Sequence, residues 1–359
     1  MRTTLAEITA ASLVLNQDDP AELLGPRPAA GPQETAGTSV DFDLKRDLGR
    51  KGTRTLDRAA GLAMHAVGRL PGMTPITSAD AEAVDQPDVG LVLATTMGSI
   101  QSTFDFTRDS FTGAKPYHVD PARFPNTVMN FAAGQCAIRY RIQGPNATVT
   151  TGHVGSFTAL AYAVRLLHSG HAATMVVGAS EELSAARAGI ERAWGIDAGA
   201  LGEGAAAVLV RSPGSGDAPI GEILGLDSAL AFDPESAESV LAKLGERVLA
   251  GKDGESAAPL RVRVVAPRDA DPASPESKGL ARLVEGGDLG SVVVVDTAAH
   301  TGDIGSASGL VQLQAALAAL RAQGADGPDD VALVTGTDRE GAVHVALVRL
   351  PQGTGGETP

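Results

Sequence analysis

The residue best placed to do chemistry in this chain is His153, which stands at the apex of a predicted turn between a strand and a helix. A β-branched run over 147–151 leads into a Gly-containing turn, and an amphipathic run follows from Phe157. Such a turn holds the apex side chain against a helix N-terminus, where free backbone N–H groups and the helix dipole favour negative charge. This setting suits a thiolate and disfavours an imidazolium, so it predicts a neutral histidine that can accept a proton.

A second group of polar residues lies in a Gly- and Ser-rich turn far along the chain. His300 and Asp303 follow a predicted strand and precede a helix that begins near Gly305. Either residue could orient His153 as a general base, since a base needs a partner that fixes its tautomer. Asp303 could equally be the N-cap of the helix, a role for which aspartate is well suited. The single cysteine, Cys136, lies in an apolar, helix-like stretch and is predicted to be a small buried hydrophobic residue.

Hydrophobic periodicity predicts that strands and helices alternate along the chain. Strands are predicted over residues 1–16, 89–94, 147–151, 174–178, 205–211, 220–226, 260–266, 292–296, 331–335 and 344–349. Helices are predicted over residues 50–70, 127–140, from the turn at 153, and over 234–250, 275–285 and 305–323, with loops over 17–40 and 71–87. This alternation is typical of an α/β fold. A Pro- and Gly-rich break at 212–219 divides the chain into halves of residues 1–211 and 220–349, and 350–359 are predicted to form a flexible tail.

Several segments, taken together and in order, resemble one known family. Gly144-Pro145 is followed after a fixed interval by the apex residue, and the next helix ends in a run from His168 to Glu181. Collinear with this segment are residues 42–58, 89–98, 124–130, 133–139, 202–206 and 301–309. These segments resemble the β-ketoacyl synthases of fatty-acid and polyketide assembly. The resemblance implies a thiolase-like fold, with two duplicated halves in a layered α-β-α-β-α architecture, and a dimer whose sheets continue across the interface.

The resemblance also implies a Cys-His-His catalytic set, and none of the three residues is present. His153 stands at the cysteine position, Asp303 stands at the histidine of the Thr-Gly-His motif, and Pro267 is the best counterpart of the other histidine. The Gly-rich loop that helps form the oxyanion hole in the family is reduced to residues 335–341. Condensation requires a thiolate and paired imidazoles. We therefore expect that this chain does not catalyse Claisen condensation by itself.

Other positions matched to the family are expected to shape the pocket or to hold the backbone. Glu181 and Glu203 match acidic positions and are expected to hold backbone turns. The segment between Glu182 and Gly202 is shorter than in the family, so part of the pocket wall and dimer surface is missing or rebuilt. The nucleophile-turn and pocket residues are Thr151, Gly152, Val154, Gly155, Thr301 and Gly302.

Composition limits the classes of partner. The formal net charge of −14 argues against nucleic acid or an anionic membrane as the main partner. No apolar run approaches the roughly 20 residues of a membrane span, and no signal peptide is visible, so the expected location is the cytoplasm. No histidine pair has metal-ligand spacing, so neither a metal nor a cofactor is predicted. An acidic acyl carrier protein would need a basic patch to dock. The candidate residues, which could equally form a solvated helix face, are Lys45, Arg46, Arg50, Lys51, Arg54 and Arg58.

Three interpretations of His153 remain open at this stage: a noncatalytic plug, a repurposed catalytic base, and an ordinary buried histidine. Two functions follow. The chain is either a partner subunit similar to the chain-length factors of type II polyketide synthases, or an accessory enzyme. The partner subunit would act on acyl chains bound to a carrier protein, as a homodimer or as a heterodimer with an active ketosynthase. The accessory enzyme would use His153, with Asp303 or His300, for acyl transfer, hydrolysis, decarboxylation or dehydration of a carrier-bound chain.

Overall fold

The fold is built around one large sheet. The computed structural model describes residues 3–25, 38–75, 84–251, 259–284 and 289–352. The strands in these ranges are β1 (Ala6–Val14), β2 (Val89–Ala94), β3 (Asn146–Val149), β4 (Thr174–Glu181), β5 (Gly204–Arg211), β6 (Gly221–Leu230), β7 (Arg261–Ala266), β8 (Val293–Val294), β9 (Asp330–Thr337) and β10 (Ala342–Arg349). They form a 10-stranded sheet with the order β3-β2-β4-β5-β1-β6-β10-β9-β7-β8.

The sheet contains the same topology twice. In the first half β1 is antiparallel to β5 and β5 to β4, whereas β4, β2 and β3 run parallel. In the second half β6, β10, β9, β7 and β8 repeat this pattern in the same sequence. A short antiparallel pairing of β1 with β6, at Ala6–Ile8, joins the halves. The repeat confirms the predicted α/β fold of two duplicated halves. The limits predicted for them, 1–211 and 220–349, remain predictions and fall between β5 and β6.

Helices cover both faces of each half. They are α1 (Leu44–Leu48), α2 (Arg58–Gly68), α3 (Ile100–Thr112), α4 (Phe131–Tyr140), α5 (Gly155–His168), α6 (Ala185–Ala193), α7 (Pro234–Ala250), α8 (Pro275–Ala281), α9 (Ala298–Thr301) and α10 (Ser308–Ala322). Helices α5 and α10 share one core with strands of both halves. Helices α2 and α4 cover the other face of the first half, and α7 and α8 that of the second. Alternate residues of the strands face alternate layers, as the pleat requires. The result is the expected α-β-α-β-α layering.

The boundaries of two predicted helices are wrong. The helix predicted over 50–70 begins at Arg58, because the Asp57 side chain accepts the Ala60 N–H and caps it. The preceding chain turns through Gly49 and Gly52, whose φ angles are 78° and 76°. The helix predicted over 127–140 begins only at Phe131, since a short 3-10 segment precedes it.

Other differences concern short or exposed elements. The sequence pattern does not predict helices α3 and α6, and α3 has no buried residue. The strand predicted over 292–296 is reduced to Val293–Val294, and α8 ends at Ala281. Residues 353–359 of the predicted tail lie outside the described residues, and Leu350 at its start is 7% exposed.

The carboxylate of Glu203 binds two backbone segments of the first half, as expected for this position. It is 1% exposed and accepts the backbone N–H groups of Val40 and Leu183. It also forms an ion pair with Arg58, whose guanidinium donates to the carbonyls of Phe42 and Val40. Arg58, one of the predicted docking residues, is thus half-buried and held by its own chain. Glu181 likewise accepts the N–H groups of two backbone turns, at Thr96 and Ser306.

We expect Glu203→Ala to lower the free energy of unfolding by about 3–5 kcal/mol, because it leaves the Arg58 charge half-buried without its partner. The matched control is Asp41→Ala, which removes the carboxylate of an exposed pair with Arg46 and should cost at most about 1 kcal/mol. Urea unfolding of the two variants measures both changes. Equal losses would show that Glu203 has no special part in the fold.

Candidate functional site

The turn that carries His153 is shaped by a glycine. Strand β3 ends at Val149, and a 3-10 turn over Gly152–Val154 leads directly into α5. Gly152 has a φ of 59°, and a Cβ there would collide with Oδ2 of Asp338. Only glycine meets both conditions without strain. His153 follows at the apex, with 3% of its surface exposed.

Two carboxylates bracket the His153 ring. Asp303 Oδ2 lies 3.1 Å from Nε2, within ion-pair distance although without a well-aligned hydrogen bond. Asp338 Oδ2 lies 3.3 Å from Nδ1, and the same oxygen accepts the backbone N–H of His153 at 2.5 Å. An imidazole whose two nitrogens both face carboxylate oxygens matches the donor pattern of the protonated ring.

The charges in this cluster stabilise one another. Burial lowers the pKa of His153, but pairing with Asp303 and Asp338 more than compensates and raises it to about 9. Burial would raise the pKa values of the two aspartates, but the His153 ring holds that of Asp338 down at about 2 and lowers that of Asp303 further. Arg268, with Nη1 4.0 Å from Asp303, adds to the latter effect. The neutral histidine expected from the helix N-terminus is therefore wrong: two carboxylates outweigh one helix dipole.

Asp303 faces His153 with Oδ2, and its Oδ1 accepts the Gly305 N–H at 2.8 Å. The alternative that Asp303 is the N-cap of the helix is wrong, because α10 begins only at Ser308 and Ala307 precedes it without a side-chain cap. The buried side chain of Arg187 holds the backbone beneath it, donating from Nη2 to the Asp303 carbonyl and from Nη1 to the Gly202 carbonyl. The carboxylate is thus fixed from several directions.

Asp338 is a site residue that the sequence pattern does not identify. It lies in the tight turn between β9 and β10, where its N–H donates to the Ala342 carbonyl and its carbonyl accepts from Gly341. Its Oδ1 also accepts the Glu340 N–H at 3.1 Å. The available signal is its position in the 335–341 loop, the counterpart of a Gly-rich loop in the family that the sequence resembles.

The other predicted site residues differ in their burial and in their hydrogen-bond partners. His300 is not brought to His153: its Nε2 lies 3.2 Å from the Gly25 carbonyl. Thr151 is exposed, and its hydroxyl donates a hydrogen bond to the Thr158 hydroxyl. Val154, Gly155 and Thr301 are buried, and Gly302 turns the chain with a φ of 67°. Cys136 is fully buried as predicted, and burial raises its pKa to about 12, which disfavours the reactive thiolate.

The arrangement restricts the chemistry available to His153. A protonated imidazole has no lone pair, so it is neither a nucleophile nor a base near neutral pH. The backbone N–H at the turn apex, a natural donor to an oxyanion, is already bound to the Asp338 carboxylate. An oxyanion formed here would meet a negative charge. The site is therefore a closed ion-pair cluster within its own chain.

Other candidate features lie away from this cluster. Of the predicted docking residues, Lys45, Arg50, Lys51 and Arg54 are exposed, and Arg46 forms ion pairs with Asp41 and Asp47. Within the described ranges, no helix is both long and apolar enough to cross a membrane. In that same part of the chain, no group of three or more His, Cys, Asp or Glu side chains is arranged to hold a metal ion.

Sequence comparisons identify related proteins. A family model for the Beta-ketoacyl synthase, N-terminal domain, matches residues 14–213. The 3-oxoacyl-[acyl-carrier-protein] synthase 2 of Coxiella burnetii is 25% identical over 199 residues, which are 50% of this chain and 47% of that protein. The protein of the same name from Rhizobium meliloti is 31% identical over 97 residues, or 27% of this chain and 23% of that protein. The chain thus matches less than half the length of these curated relatives.

Structural comparisons extend the similarity to nearly the whole chain. A chain of the ishigamide ketosynthase/chain length factor superposes with a TM-score of 0.80 and 33% identity, covering 97% of this chain and 99% of that one. A chain from a type II polyketide synthase acyl-carrier protein in complex with its ketosynthase has a TM-score of 0.73 at 15% identity, covering 98% and 100%. A beta-ketoacyl synthase from Burkholderia phymatum has a TM-score of 0.75 at 14% identity, and it also covers 98% of this chain and 100% of that one. The last two show a common fold.

The raised pKa of His153 predicts a pH-dependent stability. A histidine pKa that rises from 6.5 in the unfolded chain to about 9 in the fold stabilises fully below pH 6.5, and the effect is lost as pH rises through 9. The maximum loss is about 3 kcal/mol, because each pH unit between the two pKa values contributes roughly 1.4 kcal/mol. Urea unfolding at about pH 6 and about pH 9.5 should show this loss in the native chain and a much smaller one in His153→Gln. Identical losses in both chains would contradict the ion-pair assignment, since all other titrating groups are shared.

Proposed function

Because this chain belongs to the β-ketoacyl synthase family and has a histidine at the nucleophile position, we propose that it is a noncondensing partner subunit. It pairs with an active ketosynthase, which supplies the thiolate, and the pair acts on acyl chains bound to an acyl carrier protein in polyketide or fatty-acid biosynthesis. The observation that carries this proposal is the pairing of His153 with Asp303 and Asp338.

The ion pairs support a structural role for His153. A buried charge is costly unless it is paired and hydrogen-bonded, and this one has a carboxylate at each ring nitrogen. The cluster fills the place where the resemblance puts a thiolate and its oxyanion donors. This arrangement favours the plug among the three interpretations of His153.

The surface around α3 supports a partner. This 13-residue helix has no buried residue, and Phe104 and Phe111 are 55% and 83% exposed. Other exposed side chains on the same half are Tyr117 at 69%, Phe124 at 59% and Ile138 at 67%. Exposed aromatic side chains in such numbers mark an interaction surface.

The edge of the sheet supports the same conclusion. Among the strands of the described ranges, β3 is the first of the sheet and pairs with β2 alone, so within that part of the chain its other edge offers free backbone groups to another chain. Beside it lies a cleft of about 480 Å³ whose lining includes Thr148 of β3 and Tyr162 and Arg165 of α5. A subunit docked on β3 would cover this cleft.

The full-length structural relative and the basic surface add to the proposal. The relative that matches 97% of this chain is part of a ketosynthase/chain length factor. An acidic chain needs a local basic patch to bind an acidic carrier protein. The exposed residues that could provide one are Lys45, Arg50, Lys51 and Arg54.

Co-expression with an intact ketosynthase from the same genome tests the proposal. We expect a stable heterodimer that elongates a carrier-bound chain, and no elongation by this chain alone. Phe111→Asp, on α3, should weaken the heterodimer about tenfold or more, because it places a charge in the interface. The matched control is Phe232→Asp, which alters a 96% exposed phenylalanine between β6 and α7 and should leave assembly unchanged. Failure of the native chain to bind, or a stable homodimer in its place, would contradict the proposal.

One observation favours the accessory enzyme as a second candidate. The 3.1 Å separation of His153 Nε2 and Asp303 Oδ2 is typical of a base and the group that orients it. Against it, the ring is protonated near neutral pH and a second carboxylate occupies its other nitrogen. One experiment distinguishes the accessory enzyme from the partner subunit. The purified chain is incubated with acyl- and malonyl-carrier proteins, and the products are examined by intact-mass analysis. Turnover that is abolished in His153→Ala and in Asp303→Ala would overturn the partner-subunit proposal; we expect none.

A further inference from the structure

One segment binds both turns that carry the carboxylates of the site. This segment, residues 183–203, is called the strap, and it contains α6. At its end, the Gly202 N–H donates to the Asp303 carbonyl, and the Asp303 N–H donates to the Ala200 carbonyl. Arg187 of α6 donates to the Gly202 and Asp303 carbonyls from a fully buried position. The strap is thus joined to the first of the two turns by backbone and side chain.

The strap contacts the second turn, between β9 and β10, through Glu191 and Trp194, which both bind Arg339 of that turn. Glu191 of α6 is 1% exposed and accepts a 2.8 Å hydrogen bond from Arg339 Nη2. The Arg339 guanidinium lies over the Trp194 ring, 4.9 Å from its centroid. Arg339 directly follows Asp338, the residue whose carboxylate binds His153. A buried carboxylate and an indole therefore hold the β9–β10 turn in place.

We infer that Glu191, Arg339 and Trp194 form a latch by which the strap keeps the His153 site closed to carrier-borne acyl groups. The inference rests on the proposed function, since a subunit that does not condense needs no path to its former nucleophile position. It adds a physical means, since one segment binds both of the turns whose carboxylates bracket His153. Release of the latch would open the site at the β9–β10 turn.

Trp194 offers a direct probe of the latch because it is the only tryptophan in the chain. Its ring is 59% exposed, so removing it disturbs no core. The Arg339 side chain is 28% exposed, and its guanidinium reaches out from the turn to Glu191 and Trp194. Trp194 can therefore be replaced with little risk to the fold, whereas Arg339→Ala leaves the buried Glu191 carboxylate without its partner, so the burial of Cys136 has to be checked in that variant.

The test introduces a reactive group at the apex and measures its accessibility. In a His153→Cys chain, alkylation by iodoacetamide at that position is followed by peptide mass spectrometry. The native Cys136 is 0% exposed and reports any general unfolding. Adding Trp194→Ala should raise the alkylation rate about tenfold, the order of magnitude for losing a cation–π contact, and adding Arg339→Ala should raise it at least as much, because the ion pair with the buried Glu191 is lost as well. Loss of the Arg339 charge alone would raise the thiol pKa and slow the reaction, so an acceleration reports opening.

The matched control is Arg192→Ala, which removes an equal charge from an exposed position on the same helix and should leave the rate unchanged. Equal rates in the latch variants, the control and the parent would overturn the inference, as would fast alkylation of the parent itself. This result is independent of the partner-subunit proposal, which is decided by heterodimer formation. If the heterodimer forms but the alkylation rates are equal, only the inference of the latch is overturned.

Discussion

The ion pairs of His153 with Asp303 and Asp338 are the interaction on which the site depends. They set the charge of the ring, occupy the N–H at the turn apex and hold together three turns that are remote in sequence. The cluster also explains why the helix dipole, which alone would favour a neutral ring, does not decide its protonation. Two full charges a few ångströms away exceed the partial charge of a helix end. The chemistry of the site follows from this balance.

The duplicated fold explains how these groups meet. Each half places a short turn before its central helix, α5 or α10, and the two helices pack in one core with strands of both halves. The turns therefore face each other, with His153 on one and Asp303 on the other. The third turn, between β9 and β10, adds Asp338 from the same side. The site thus exists only when all three turns are in place.

The layers of the fold could be predicted from the sequence, and the limits of that prediction have physical causes. Strand β2 is predicted at its observed bounds because it is a continuous buried run flanked by polar residues. Helix α3 escapes prediction because only four of its 13 residues are apolar and none of its residues is buried in the core. His153 and Asp303 are found through the resemblance, whereas Asp338 is not, since its contact spans 185 positions between two loops. The charge of His153 could not be predicted without those carboxylates.

The close contact between Gly152 and Asp338 limits which substitutions position 153 can accept. Asp338 fits against the turn only because residue 152 has no side chain, and its carboxylate then lies on the apex N–H. A cysteine at 153 would place a thiol beside this anion, which opposes its ionisation. The side chains at 152, 153 and 338 are thus coupled, and a thiolate at the apex would require a change in the β9–β10 turn as well as at 153.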